Sequence, residues 1–199
     1  MVMRLALAGV LSAGVLSLAA TGASASDANG NYAVVGAGAQ SCAAFKQVAA
    51  EGGPQLINYI SWLQGYISYM NRSTAETYEA IPISEPVAFA NLVLRVCAQD
   101  DKQSFESAVL KTVNAFAPLR VQSESPLVQI SWNEKQLSVR QETIKTVQAK
   151  LQERGLYDSA VDGTFGPKTA EAIIAFQKSK GIPETGLPDG ITLANLLVQ

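Results

Sequence analysis

Residues 144–197 read IKTVQAKLQERGLYDSAVDGTFGPKTAEAIIAFQKSKGIPETGLPDGITLANLL, and the punctuation of this stretch decides the fold. Ile144, Val147 and Leu151 recur at helical spacing, and Gly155 stands where a helix C-cap is expected. Asp162-Gly163 is a turn signal, because glycine accepts positive φ without steric cost. Gly166-Pro167 then opens a second helix, with proline at the position where its missing N–H costs nothing. That helix offers Ala170, Ile173, Ile174 and Phe176 for burial. Asp189 is a good N-cap for a third helix carrying Leu193, Leu196 and Leu197. Three short helices joined by specified turns are the expectation for residues 142–199.

Several spaced positions add a resemblance. They are Gln148-x-x-Leu151, Gly155-Leu156-Tyr157, Val161-Asp162-Gly163-x-Phe165-Gly166-x-x-Thr169, Ala172-x-x-x-Phe176-Gln177, Gly181-Ile182, and Thr185-Gly186 leading to Thr192-Leu193. In these positions the segment resembles the peptidoglycan-binding-like domain that recurs as an accessory module of bacterial wall enzymes. What the resemblance implies is binding of the wall polymer rather than its cleavage, with no cofactor.

The first 25 residues read as an export signal: Arg4, the apolar run LALAGVLSAGVLSLAATG, and the small-residue site Ala23-Ser24-Ala25. The run is short for a spanning helix, and no Cys stands directly after the cleavage site, so the expected mature protein has no membrane anchor. Residues 26–40 read as a flexible N-terminus. The formal net charge of the 199-residue chain is −2, without any basic run, which leaves nucleic acid and anionic lipid without an electrostatic footing. The two cysteines, Cys42 and Cys97, both follow the signal. In an oxidising compartment they predict one disulfide, stabilising the fold by about 4 kcal/mol in the chain-entropy account.

Residues 41–117 read as a four-helix domain stapled by that disulfide. Cys42, Phe45, Val48 and Ala49 share a face; Leu56, Tyr59, Ile60, Leu63, Tyr66, Ile67 and Met70 form an apolar stripe that begins after Pro54. Trp62, Gly65 and Tyr66 read as helix-packing residues, with Gly65 admitting a neighbouring helix. A polar loop is expected from Asn71 to Glu85. VAFANLVLRVC, and then Phe105, Val109, Val113 and Phe116, supply two further helices. Ser41-Cys42-x-x-Phe45, Trp62-x-x-Gly65-Tyr66 and Cys97 before an acidic turn are similar to HdeA-type periplasmic proteins and to exported type VI immunity proteins. That resemblance implies an acid-stress chaperone or an immunity protein as alternatives, and a protein partner for this domain. Residues 118–141 read as a linker in which LVQISW, Leu127 to Trp132, fits a short strand or a seam between domains.

The chain has no histidine. Ser/His and Cys/His nucleophile pairs are therefore excluded, as are the His-rich zinc sites of wall amidases. GAGAQ, Gly36 to Gln40, lacks the lysine of a phosphate loop. A small wall hydrolase working with carboxylates remains as an alternative, but Glu51, Glu85 and Glu106 read as solvated and a deep cleft is not expected. The reading is an all-α, exported, non-enzymatic protein, periplasmic or secreted, with no metal. Its expected groove lies between the loop after the first module helix and the second: Tyr157 and Phe165 stack, while Asp158, Thr164 and Gln177 hydrogen-bond the polymer. Asp162, Gly163, Gly166 and Thr169 fix the turn and cap the second helix.

Overall fold

Two serines open two helices in the same way. Ser41 Oγ accepts from Ala44 N at 3.2 Å and Ser104 Oγ from Ser107 N at 3.0 Å, satisfying amides that a helix start leaves free. These N-caps begin α1 (Cys42–Glu51) and α4 (Phe105–Phe116). Between them run α2 (Pro54–Ser73) and α3 (Pro86–Cys97), each with proline in the first turn. The computed structural model describes residues 26–196; the expected export signal and Leu197 lie outside these. Around residues 27–31 the chain forms a turn in which the Asp27 carboxylate accepts from the amides of Asn29 and Asn31. From Val34 onward the described chain is one compact unit.

The aromatic centre of α1, α2 and α4 follows from the stripes read in the sequence. Phe45, Tyr59 and Phe105 meet with ring centroids 4.5–5.1 Å apart, in tilted and edge arrangements favoured by the ring quadrupole. Cys42 and Cys97, both fully buried, are joined as a disulfide that ties the start of α1 to the end of α3. Two details differ from expectation. Gly65 is exposed, and no neighbour lies within 4 Å of where its Cβ would be, so it admits no other helix. The close approach to α2 occurs at Gly38 instead: it is buried in a short 3-10 turn, and an added Cβ would stand 2.1 Å from the Trp62 ring. Trp62 Nε1 donates to Val35 O at 2.9 Å, fastening the turn to α2.

The segment from Asn71 to Glu85 is less polar than its sequence suggests. Ala80, Ile81 and Pro82 are buried. Glu79 and Val121 exchange backbone hydrogen bonds at 2.9 and 3.0 Å, and Asn71 Oδ1 accepts from Ala80 N at 2.8 Å. A loop pinned at three points satisfies its buried amides without a helix or sheet.

An all-α architecture is corrected by a β-hairpin. β1 (Leu127–Trp132) and β2 (Lys135–Arg140) pair antiparallel, with Trp132 opposite Lys135 and Leu127 opposite Arg140. Asn133 and Glu134 form the two-residue turn with φ of 46° and 65°, the backbone hand that matches strand twist. The chain is therefore mostly helical, with seven α-helices and one two-stranded sheet among the described residues. Ile130, Leu137 and Val139 point inward at alternate positions and pack with Ile144 and Leu187. α5 (Gln141–Glu153) continues directly from β2, followed by α6 (Pro167–Lys180) and α7 (Gly190–Leu196). α7 touches α3: a Cβ on Gly190 would meet Ile83 at 3.5 Å and Ala88 at 3.7 Å, both ordinary contact distances. The apolar core runs without interruption from Leu63 and Phe89 to Val147, Ile173 and Leu193.

Candidate functional site

Two buried glutamines organise the turns of the C-terminal helices. Gln148 of α5 is fully buried, and its Oε1 accepts from Asp162 N at 3.1 Å and Gly163 N at 2.9 Å. Its Nε2 lies 3.0 Å from Thr164 O and 3.2 Å from both Tyr157 Oη and Thr169 Oγ1. Gln177 of α6 repeats the device one turn later. It accepts from Gly186 N at 2.9 Å and donates toward Leu187 O, Thr185 Oγ1 and Thr192 Oγ1. Each amide oxygen thus accepts from a buried glycine N–H that would otherwise have no partner, while its Nε2 reaches a carbonyl and hydroxyls. At both turns the glycine is required. Gly163 and Gly186 have φ of 76° and 68°, and a Cβ would fall 2.8 Å from Gln141 O and 2.4 Å from the Trp132 ring respectively.

This geometry reassigns several residues. Gln177, expected to face the polymer, has its amide wholly engaged in the interior. Thr169 does not cap its own helix: its hydroxyl accepts from Gln148 and lies 3.4 Å from Thr164 O. Gly166 is the extended N-cap residue ahead of Pro167. Asp162 Oδ1 accepts from Thr164 N at 2.8 Å. That backbone bond, helped by hydrogen bonds from Gln148 and Thr164, holds the Asp162 carboxyl below its ordinary value. Thr164 is exposed at the turn tip, and Phe165 is half-buried, packed against both the helical core and the hairpin core.

An open groove lies between the loop after α5 and one edge of α6, with a volume of about 460 Å³. It brings together Tyr157, Asp158, Lys168, Glu171, Ala172 and Ala175. Of the expected ligand contacts, Tyr157 and Asp158 are here; Thr164, Phe165 and Gln177 do not line it. Tyr157 is 8% exposed, and its hydroxyl donates inward to Ala160 O at 3.0 Å, so only part of the ring reaches the groove. Lys168, Glu171 and Ala175 join Tyr157 and Asp158 there without belonging to any motif of the sequence. The signal was present: 168, 171, 172 and 175 recur at i, i+3, i+4 and i+7, one helix edge. One cation, two carboxylates and a short apolar floor suit a polar, near-neutral polymer held by hydrogen bonds and van der Waals contact.

The carboxylates considered for hydrolysis sit elsewhere. Glu51 is exposed. Glu106, read as solvated, is 5% exposed and accepts from the Tyr66 hydroxyl at 2.9 Å. Glu85 is half-buried at the start of α3, and burial pushes its carboxyl above the ordinary value. Among the described residues no group of three metal-ligating side chains occurs.

Residues 140–196 match the family model of the putative peptidoglycan binding domain. The match begins at the last residue of β2 and covers α5, α6 and α7. The middle helices lie outside it, and their likeness to HdeA-type or immunity proteins gains no support. No curated protein and no solved structure matches the chain.

Proposed function

We propose that this is an exported, non-catalytic protein that binds peptidoglycan through α5–α7 and holds its disulfide-tied helices at the cell wall. The match of residues 140–196 to the peptidoglycan binding family carries this reading. The groove between the loop after α5 and the edge of α6 is its contact surface, with Tyr157, Asp158, Lys168 and Glu171 lining it. A buried disulfide belongs to an oxidising compartment, which favours the periplasm or the exterior over the cytosol. Among the described residues no helix is long and apolar enough to cross a membrane.

Holding a domain at a polymer raises its local concentration there, so the gain for a partner of α1–α4 is one of proximity. Because α7 packs on α3, the helices at the wall are presented in a fixed orientation rather than on a loose tether. Residues 41–117 are then the presented part, and 142–199 with the hairpin of the 118–141 segment are the wall-binding part.

Co-sedimentation of the mature chain with purified sacculi tests the reading. The wild type should pellet, and Ala175→Arg or the pair Lys168→Ala, Glu171→Ala should return it to the supernatant with an unchanged thermal melt. A wild type that stays in solution at low and moderate salt removes the proposal. Release of muropeptides during the incubation would instead establish a hydrolase.

A further inference from the structure

Where the chain leaves α4 it folds over the first turn of α5 and encloses a second open cavity, of about 390 Å³, distinct from the groove beside α6. Arg120, Gln122, Ser123, Glu142 and Thr146 line it. Arg120 is half-buried, and its Nε is fully shielded from solvent with no hydrogen-bond partner. None of the ion pairs among the described residues includes its guanidinium. The other two half-buried arginines behave differently. Arg140 reaches Glu79 and Ser125 O, and Arg154 donates to Lys150 O and Leu196 O. A guanidinium held partly out of water, without an acceptor, is a donor fork shaped for a carboxylate.

We propose that this cavity binds the carboxylate end of a short peptide. Arg120 takes the carboxylate through the paired terminal amino groups of its guanidinium, Nε being shielded from solvent. Glu142, whose side chain is 48% exposed and 4.0 Å from Lys145, accepts an N–H from the same ligand. The Gln122 amide and the Ser123 and Thr146 hydroxyls complete a lining able to serve peptide groups of either polarity. Glu142 selects a peptide over a bare anion: a carboxylate in the cavity repels a ligand that is only acceptor, and favours one that carries a donor beside its charge. The site stands apart from the groove and does not depend on it. Its ligand has two natural sources, the stem peptide of the wall and the C-terminus of an exported protein.

Calorimetric titration of the mature chain separates the outcomes. The probes are N-acetyl-alanyl-alanine in its D,D and L,L forms, the C-terminal amide of each, and acetate. Saturable binding of an acid, at least about tenfold tighter than its amide, is expected, and Arg120→Gln should abolish that preference. A preference for the D,D acid identifies the wall peptide, and for the L,L acid a protein end. Glu142→Gln should weaken the peptide while improving acetate. Lys168→Ala, which acts on the groove, should leave dipeptide binding unchanged even if sacculus retention fails. Should Arg120→Gln not fold, Arg120→Lys carries the same acid-to-amide comparison, with a reduced preference expected. Equal binding of acid and amide, acetate as tight as the dipeptide, unaltered binding by the arginine variants, or no saturable binding would each overturn the proposal.

Discussion

Gln177 shows how much one buried side chain can decide. Its carboxamide meets a glycine N–H, a carbonyl and two threonine hydroxyls, all in the interior. Gln177→Ala would strand the buried Gly186 N–H, whose acceptor is Gln177 Oε1, and open a void, while both threonine hydroxyls keep Asp189 as a partner. An unsatisfied buried polar group costs about 1–3 kcal/mol, so this variant should lose at least that much stability in urea unfolding, and Gln148→Ala a similar amount. A surface contact with the polymer would predict the opposite: weaker binding and an unchanged melt. A lone Gln on a helix gives no sign of its burial, which is why the sequence suggested a ligand contact. The clue lay in the repeat: Gln148 with Gly163 and Thr169, then Gln177 with Gly186 and Thr192, at the same glycine-to-threonine spacing. Arg120, by contrast, sits in a stretch of no evident pattern, and only packing reveals that its guanidinium is half out of water.

Among elements, α2 offers a clean comparison of two glycines. Gly65 lies on its exposed face with open space around the missing Cβ. Alanine is a better helix former there, and Gly65→Ala should stabilise by about 0.5–1 kcal/mol. Gly38→Ala forces a Cβ into the Trp62 indole and should destabilise by about 1–3 kcal/mol, as overpacked sites do. Thermal melts of the two variants should therefore shift in opposite directions; a shift of the same sign for both would refute the packing seen at Trp62. The helices were legible because their apolar stripes persist for three turns or more, as Leu56 to Met70 does. The hairpin was half legible. LVQISW alternates openly, but in KQLSVR only Leu137 and Val139 carry the inward face, and Asn-Glu is not a habitual turn pair. Its partner Ile144 follows closely in α5, but Leu187 is distant in sequence, so that packing becomes visible only in three dimensions.

For the whole molecule, two kinds of link join parts of the chain that are remote in sequence, and pH separates them. The Cys42–Cys97 disulfide constrains the unfolded chain, and Cys42→Ser with Cys97→Ser should cost about 4 kcal/mol at any pH, read as a lower urea midpoint. The seam between the α2–α3 loop and the hairpin contains an ion pair: Glu79 Oε1 stands 3.5 Å from Arg140 Nε, and Arg140 also lies over the Tyr78 ring. Burial lifts the Glu79 carboxyl above 4.5, and the opposing pull of Arg140 does not cancel that lift. A folded-state value above the unfolded one contributes stability that is fully present below the unfolded value and lost as pH rises through the folded value. Glu85, raised by burial and further by Asp189 across the α3–α7 seam, adds a loss of the same sign. Asp162, held low by its turn, acts oppositely: its contribution is present above 3.8 and is lost as pH falls through its folded value. Glu79→Gln isolates one of these. The variant should gain stability relative to the wild type as pH is raised from about 4 to about 7, because it alone is spared the burial of a developing charge. Urea midpoints of both proteins across that range read the difference directly. A constant offset would mean that the Glu79 carboxyl titrates alike in the folded and unfolded chains, and that the ion pair with Arg140 fully offsets its desolvation.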